Sequence, residues 1–438
     1  MDSNQINKEL FSFLDNSPNA FFAVKNMCDI LDKNGMTRLY EGKPWDLESG
    51  KGYYVTRNDS AIIAFRIPEK DYKGFMIMTS HCDSPVFKIK ANAEITVDDR
   101  YVKLNVEKYG GMLCAPWFDR PLSAAGRIVV RTEDGIETKL VNVDRDLMII
   151  PNLSIHMNRK VNEGYEYNAQ VDMLPLFCEK GGESNSFMKL ISSEAGVSAE
   201  DILDTDLFLY NRMPAVMLGL NNEFISSGRL DDLQCAFASL KGFTEATPGG
   251  SVAVHCVFDN EEVGSGTKQG AAGSFLKDTL HRINSSMGKT EEEYLMDIAS
   301  SFLVSADNAH AVHPNHTDKS DPTNRVYLNK GVVIKYSANQ KYTTDAVSGA
   351  MMRAIFDKAG VPYQTFTNRS DMLGGSTLGN IAQSQVSLNT VDIGLPQLAM
   401  HSSYETAGAE DTAYLVDTAR VLFSSSFEGT DNGKYKLF

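Results

Sequence analysis

The chain has 438 residues, enough for two domains or one domain with a large insertion. Its 57 acidic residues outnumber 42 basic ones and leave a formal charge of −15, which argues against a nucleic-acid backbone or an anionic membrane surface as partner. No segment approaches the ~18 apolar residues that span a bilayer. The opening MDSNQINKELFSFL lacks a signal-peptide pattern, and six scattered cysteines with no CxxC pair read as reduced thiols, so a cytoplasmic chain is expected.

Residues 4–15 and 18–34 are expected to form two amphipathic helices. Ser17-Pro18 would supply the cap and first-turn proline between them, and Asn34-Gly35 the stop. A hairpin follows over 52–56 and 60–67, turning at Arg57-Asn58-Asp59. The apolar run Gly74 to Ser80 reads as a central strand leading into His81-Cys82-Asp83. From about residue 87 short strands alternate with turn signals such as Glu133-Asp134-Gly135, the texture of a small β-barrel or sandwich. ESNSFMKLISSEAG and SAEDILDTDLFLYN add a helix and a strand.

Near Ser227 the texture returns to α/β. Arg229 to Thr247 reads as a helix with Asp231 in its first turn, and 251–258 as a buried strand. Helices are then expected over 268–282, 290–301, 344–360 (capped by Thr343 or Thr344) and 409–423. Strands are expected over 302–307, 332–336, 384–388 and 390–394. The fold class is therefore α/β, a central mixed sheet flanked by helices. One domain comprises residues 1–86 and 228–438, and a β-rich domain of residues 87–227 is inserted into it.

The stretch SVAVHCVFDNEEVGSG, Ser251 to Gly266, carries the strongest chemical signal. Two adjacent carboxylates, Glu261 and Glu262, at a strand end repel each other unless a positive group stands by them. A divalent metal answers this. One Glu can ligate and its neighbour can take a proton from water. His81-x-Asp83, Asp231-Asp232, Asp307 and His401 also lie at the ends of expected elements, where open α/β sheets gather their chemistry. Two His and three carboxylates suit two divalent ions, Zn²⁺, Co²⁺ or Mn²⁺, held ~3.5–4 Å apart by a shared carboxylate.

Other features carry less. Pro314 and Asn315 break any helix face shared by His310, His313 and His316, and His255 in its strand reads as core. GSGTKQG lacks the Gly-Lys-Ser/Thr of a phosphate loop, and no G-x-S-x-G elbow is present. Cys82 and His81 are adjacent in a strand and point to opposite faces, which argues against a thiol enzyme.

Six segments, TSHCDSPVFKIK, SGRLDDLQCAFASL, FDNEEVGSGTKQGA, SADNAHAVHPN, KGVVIKYSANQKY and LPQLAMHSSYE, resemble those of the M18 metallopeptidases, the aspartyl aminopeptidase family, in the family's order and across nearly the whole chain. The resemblance implies a cytoplasmic aminopeptidase with two Zn²⁺ per subunit, replaceable by Co²⁺ or Mn²⁺. It implies that His81 and Asp307 hold one ion, Glu262 and His401 the other, and that Asp231 bridges them. Asp83 would orient His81, and Glu261 would be the general base. Lys335 would receive an acidic N-terminal side chain, and Gly374 and Gly375 would let backbone approach the substrate. The resemblance also implies that the β-rich insert is a dimerisation domain, that dimers assemble into a tetrahedral dodecamer, and that His156 reaches a neighbour's active site. Expected partners are peptides and further copies of the chain. Competing readings are a neutral-residue aminopeptidase, a two-metal carboxypeptidase or deacylase, and a non-enzymatic shell or cargo-binding protein.

Overall fold

A computed structural model describes residues 2–181, 185–430 and 433–438. Its largest sheet has nine strands in the order Thr37–Leu39, Gly52–Arg57, Ala61–Arg66, Val252–Phe258, Phe75–His81, Phe302–Ala306, Asn389–Gly394, Val332–Tyr336 and Tyr363–Thr367. The four strands Val252–Phe258, Phe75–His81, Phe302–Ala306 and Asn389–Gly394 run parallel to one another. Their C-terminal ends therefore lie along one edge.

The first three are buried along their whole length, as expected of parallel strands covered on both faces. Alternate residues serve opposite layers. Met76, Met78, Ala253 and Val257 pack with Leu233, Phe243 and Leu415 of one helical layer. Phe75, Ile77, Val254 and Cys256 pack with Phe275, Leu280 and Leu378 of the other. This is the mixed sheet flanked by helices that the sequence implies.

Strands between Val86 and Asn211 form a separate antiparallel sheet of six, ordered Gly135–Asn142, Leu122–Thr132, Ile202–Asn211, Val86–Val97, Tyr101–Tyr109 and Leu176–Glu179. Bridges from Ile149 to Leu176 and from Met148 to Leu122 close it into a ring around its own apolar cluster, which includes Phe87, Leu104, Trp117 and Phe187. A five-stranded sheet joins Val216–Leu218 and Phe224–Ser227 to Glu405–Gly408, Pro396–Leu398 and Ala309–His310.

Several local expectations need correction. The second helix, Ala20–Lys33, is capped by Asn19, whose side chain accepts from the Phe21 and Phe22 amides, and not by Ser17-Pro18. Helix Phe275–Ser286 starts later than expected because residues 259–272 spend their backbone groups on turns, with Asp259 N donating to Gln269 O and Ala272 N to Ser265 O. Asp345 caps helix Ala346–Ala359 in a reciprocal pair with Ser348, while Thr343 and Thr344 instead bond Asp392. Residues 384–388 hold no strand. Helix Leu378–Gln385 fills that place and the strand begins at Asn389. Asp231 (φ −82°, ψ 107°) and Asp232 are not helical, so the helix of Leu230–Glu245 is regular only beyond them.

Phe243 is fully buried between Phe423, ring centroids 5.3 Å apart, and His255, 5.9 Å away. Phe243→Ala is expected to cost about 3–5 kcal/mol in urea unfolding. An effect below about 1 kcal/mol would show that the helix–sheet layer is looser than these contacts imply.

Candidate metal centre

The shared strand edge assembles the site. His81 is the last residue of its strand, in register with Phe258 of the next. Beyond Phe258 the chain turns, and Glu261 and Glu262 sit in a short turn of helix closed by Gly264 at φ +93°. Asp307 follows the strand Phe302–Ala306. Asp231 arrives from the strand Phe224–Ser227, and His401 lies just ahead of Glu405–Gly408, which pairs with that strand.

The five expected metal ligands converge. Ligand atoms of His81, Asp231 and Asp307 lie within 4.8 Å of one another, as do those of Asp231, Glu262 and His401. Asp231 belongs to both sets. Its Oδ1 stands 3.5 Å from His81 Nε2 and its Oδ2 3.5 Å from His401 Nε2. Glu262 Oε2 is 3.3 Å from His401 Nε2. Asp231 Oδ1 and Glu262 Oε1 are buried and accept no hydrogen bond.

The electrostatics ask for a cation. Burial, then the charge of Asp231, pushes the Glu262 carboxyl well up. Burial and then Asp307, Asp83 and Asp231 push Glu261 up to about 7, against the pull of His81. Asp307 is raised by burial too, although Lys335 opposes this. Burial works against the Asp231 charge, but the neighbouring imidazoles of His401 and His81 hold its carboxyl below the usual carboxylate range. Two imidazoles, three carboxylates and unpaired buried oxygens fit two divalent ions.

A second layer of residues holds the ligands. The Asp83 carboxylate accepts from Tyr109 Oη at 2.7 Å and from the Glu261 and Glu262 amides at 3.1 Å each. His81 Nδ1 is 3.1 Å from the Asp83 carbonyl and 3.4 Å from its carboxylate, which leaves Nε2 facing Asp231. Sequence reasoning missed Glu405. It is 2 % exposed and accepts from Asp231 N at 3.0 Å and His401 N at 2.8 Å. It also missed Tyr109, while Asp232, named beside Asp231 in the sequence, accepts from His81 N. Glu405 lies inside the segment LPQLAMHSSYE, but its burial follows only from strand pairing.

The ligands open on a cleft of ≈ 670 Å³ that Lys335, Gly375, Tyr342 and Phe366 help to line. Lys335 is 2 % exposed, and its Nζ donates to the Asn308 carbonyl at 2.8 Å and sits 3.8 Å from Asp307 Oδ2. Burial works against its charge, but Asp307, then Tyr342 and Asp392, keep it protonated. Gly374 is not among the lining residues and packs against Asn368. His310 is at the cleft, while the rings of His313 and His316 pack against each other at a tilt, centroids 5.1 Å apart. His156 is in an exposed loop outside its own chain's cleft.

Known proteins resemble this chain in both sequence and fold. Residues 13–425 match the family model of the aminopeptidase I zinc metalloproteases (M18). The chain belongs to the M18 family. It is 47 % identical over 413 residues to a probable M18 family aminopeptidase 2 of Clostridium novyi (strain NT), covering 93 % of this chain and 95 % of that one. It is similar to the protein in the cryo-EM structure of the Ape4 and Nbr1 complex, with TM-score 0.93, 34 % identity and coverage of 96 % and 86 %. The yeast mApe1 dodecamer shares the fold, with TM-score 0.84, 24 % identity and 97 % coverage of each chain. M18 membership makes the chain a metallopeptidase of aminopeptidase type, a hydrolase. No described helix is long and apolar enough to cross a membrane.

In the metal-free protein Glu261 holds its proton to about pH 7, against an ordinary value of 4.5. The folded state then binds more protons than the unfolded one across that window, so this group's contribution to stability falls as pH rises. Metal-free wild type is expected to lose on the order of 2 kcal/mol relative to E261Q between pH 4.5 and 7 in urea unfolding. A pH-independent difference would contradict this crowding of carboxylates.

Proposed function

We propose that this M18 enzyme removes single N-terminal residues from peptides, preferring Asp and Glu, with two Zn²⁺ per subunit. His81 and Asp307 hold one ion, Glu262 and His401 the other, and Asp231 spans both. The observation that carries this reading is Asp231 itself, with one carboxylate oxygen facing each histidine. Bound there, divalent ions acidify water and polarise a peptide carbonyl.

The chain's own groups do the rest. Glu261 lies in one ligand-sized cluster with His81 and Glu262, yet has no place in the two sets that share Asp231. It is the base that takes the proton of the attacking water and returns it to the leaving amine. The acid-rich end of the cleft receives the substrate's α-ammonium, which restricts cleavage to the N-terminal residue. Lys335, charged and buried in the lining, pairs with the side-chain carboxylate of Asp or Glu. Gly375, with Gly374 behind it, lets the substrate backbone come close.

A second reading has an observation of its own. Asp307 already stands 3.8 Å from Lys335, and Tyr342 and Phe366 add apolar surface, an arrangement that also admits a neutral side chain.

Residues 87–227 are read as an inserted dimerisation domain, with dimers assembling into a tetrahedral dodecamer. The dodecameric yeast mApe1 supports self-association, as do the exposed Leu153, Ile155 and Met157 flanking His156. His156 would then act in a neighbouring copy's cleft.

Zinc-loaded protein should release Asp and Glu from matched peptides much faster than Ala, Leu or Lys, and should leave N-acetylated peptides intact. Preference for Leu or Ala would select the second reading, and cleavage of capped peptides would overturn both. E261Q is expected to keep its metal and lose about 10³-fold in kcat. K335M is expected to lose roughly 10²-fold in kcat/KM for Asp and Glu peptides while sparing Ala and Leu. Undiminished E261Q turnover at full metal content would refute the base assignment.

A further inference from the structure

We propose that the loop from Tyr109 to Leu113, which leaves the six-stranded sheet, is a working part of the metal centre, and that Tyr109 is a positioning residue for the Glu261–Glu262 turn. The inference rests on the two-metal reading above and assigns the separate sheet a second role.

Tyr109 ends the strand Tyr101–Tyr109. Its ring packs edge-on to Phe208 of the same sheet, centroids 5.9 Å apart, so the sheet fixes where the hydroxyl points. That hydroxyl donates to Asp83 Oδ2 at 2.7 Å and accepts from Asn260 Nδ2 at 2.8 Å. Asp83 in turn accepts the Glu261 and Glu262 amides. Asn260 is the residue before Glu261, and its side-chain carbonyl oxygen is held by Thr267 Oγ1 at 2.9 Å and Gln269 Nε2 at 2.8 Å. One phenol thus fastens both sides of the turn that carries the proposed base and a proposed ligand.

The next residues reach the other ligand of the same ion. Gly110 has φ +74°, and a Cβ there would stand 3.1 Å from Glu262 Cβ and 3.3 Å from the Glu262 carbonyl oxygen. Gly111 lies beside the His401 ring, where a Cβ would stand 4.0 Å from Nδ1. His401 Nε2 is the nitrogen that faces Asp231 and Glu262, so the loop packs on the Nδ1 side of the ring and leaves Nε2 turned toward the other ligands. Leu113 N donates to the His401 carbonyl at 3.1 Å. Glu262 and His401 therefore both lean on a loop whose position the six-stranded sheet decides. Seating of that sheet and occupancy of the Glu262–His401 ion are linked, so whatever shifts one shifts the other.

Tyr109→Phe removes one oxygen and keeps the ring. Competition with a zinc-sensitive dye should show one of the two ions bound about tenfold more weakly and the other unchanged. kcat should fall with KM little changed. The melting temperature of the metal-free protein should stay close to wild type, whereas a merely structural role would lower it and leave zinc affinity alone. Gly110→Ala should weaken the same ion. Two ions in the wild type and unaltered affinity for both in Tyr109→Phe would overturn this proposal alone. Fewer than two ions in the wild type would overturn the reading beneath it and, with it, the proposal.

Discussion

Uncompensated negative charge at one edge of the large sheet is the constraint on which the rest of this structure depends. Asp83, Asp231, Glu261, Glu262, Asp307 and Glu405 meet there, and His81, His401 and Lys335 stand among them. Burying several carboxylates without partners costs far more than a domain's net stability can absorb. The chain meets this in two ways. Backbone amides and a phenol satisfy Asp83, and backbone amides satisfy Glu405. Asp231 Oδ1 and Glu262 Oε1 stay buried without a hydrogen bond, which is where the proposed ions would add their charge.

The arrangement follows from topology. Parallel neighbouring strands end on the same side, so residues just past Phe258, at His81 and just past Ala306 become neighbours although far apart in sequence. The hairpin-like pairing of Phe224–Ser227 with Glu405–Gly408 then delivers Asp231 and His401 together. Glu405 sits at the hinge of that delivery and holds both backbones with one carboxylate.

Much of this is legible in the sequence. Apolar runs such as Phe75 to Met78 announce buried parallel strands, and acids or histidines at their ends announce a site. Asp231 in the sequence looks like a helix-start acid, and its non-helical backbone shows why it can turn toward both histidines. Local signals fail where tertiary bonds take over: Thr343 looks like a cap but bonds Asp392, and residues 384–388 look extended but begin within a helix. The supporting residues are the least legible. Tyr109 and Glu405 have no motif of their own, because their roles depend on which strands pair. Periodicity and spacing place the five distant ligand segments at element ends, and only family likeness implies that those ends converge.

The measurement that bears most directly on the central claim is anomalous diffraction at the zinc edge from zinc-loaded crystals. The account predicts two peaks on the order of 3.5–4 Å apart, one beside His81 and Asp307 and one beside Glu262 and His401, with Asp231 between them. A single peak, or a pair that does not share Asp231, would contradict it.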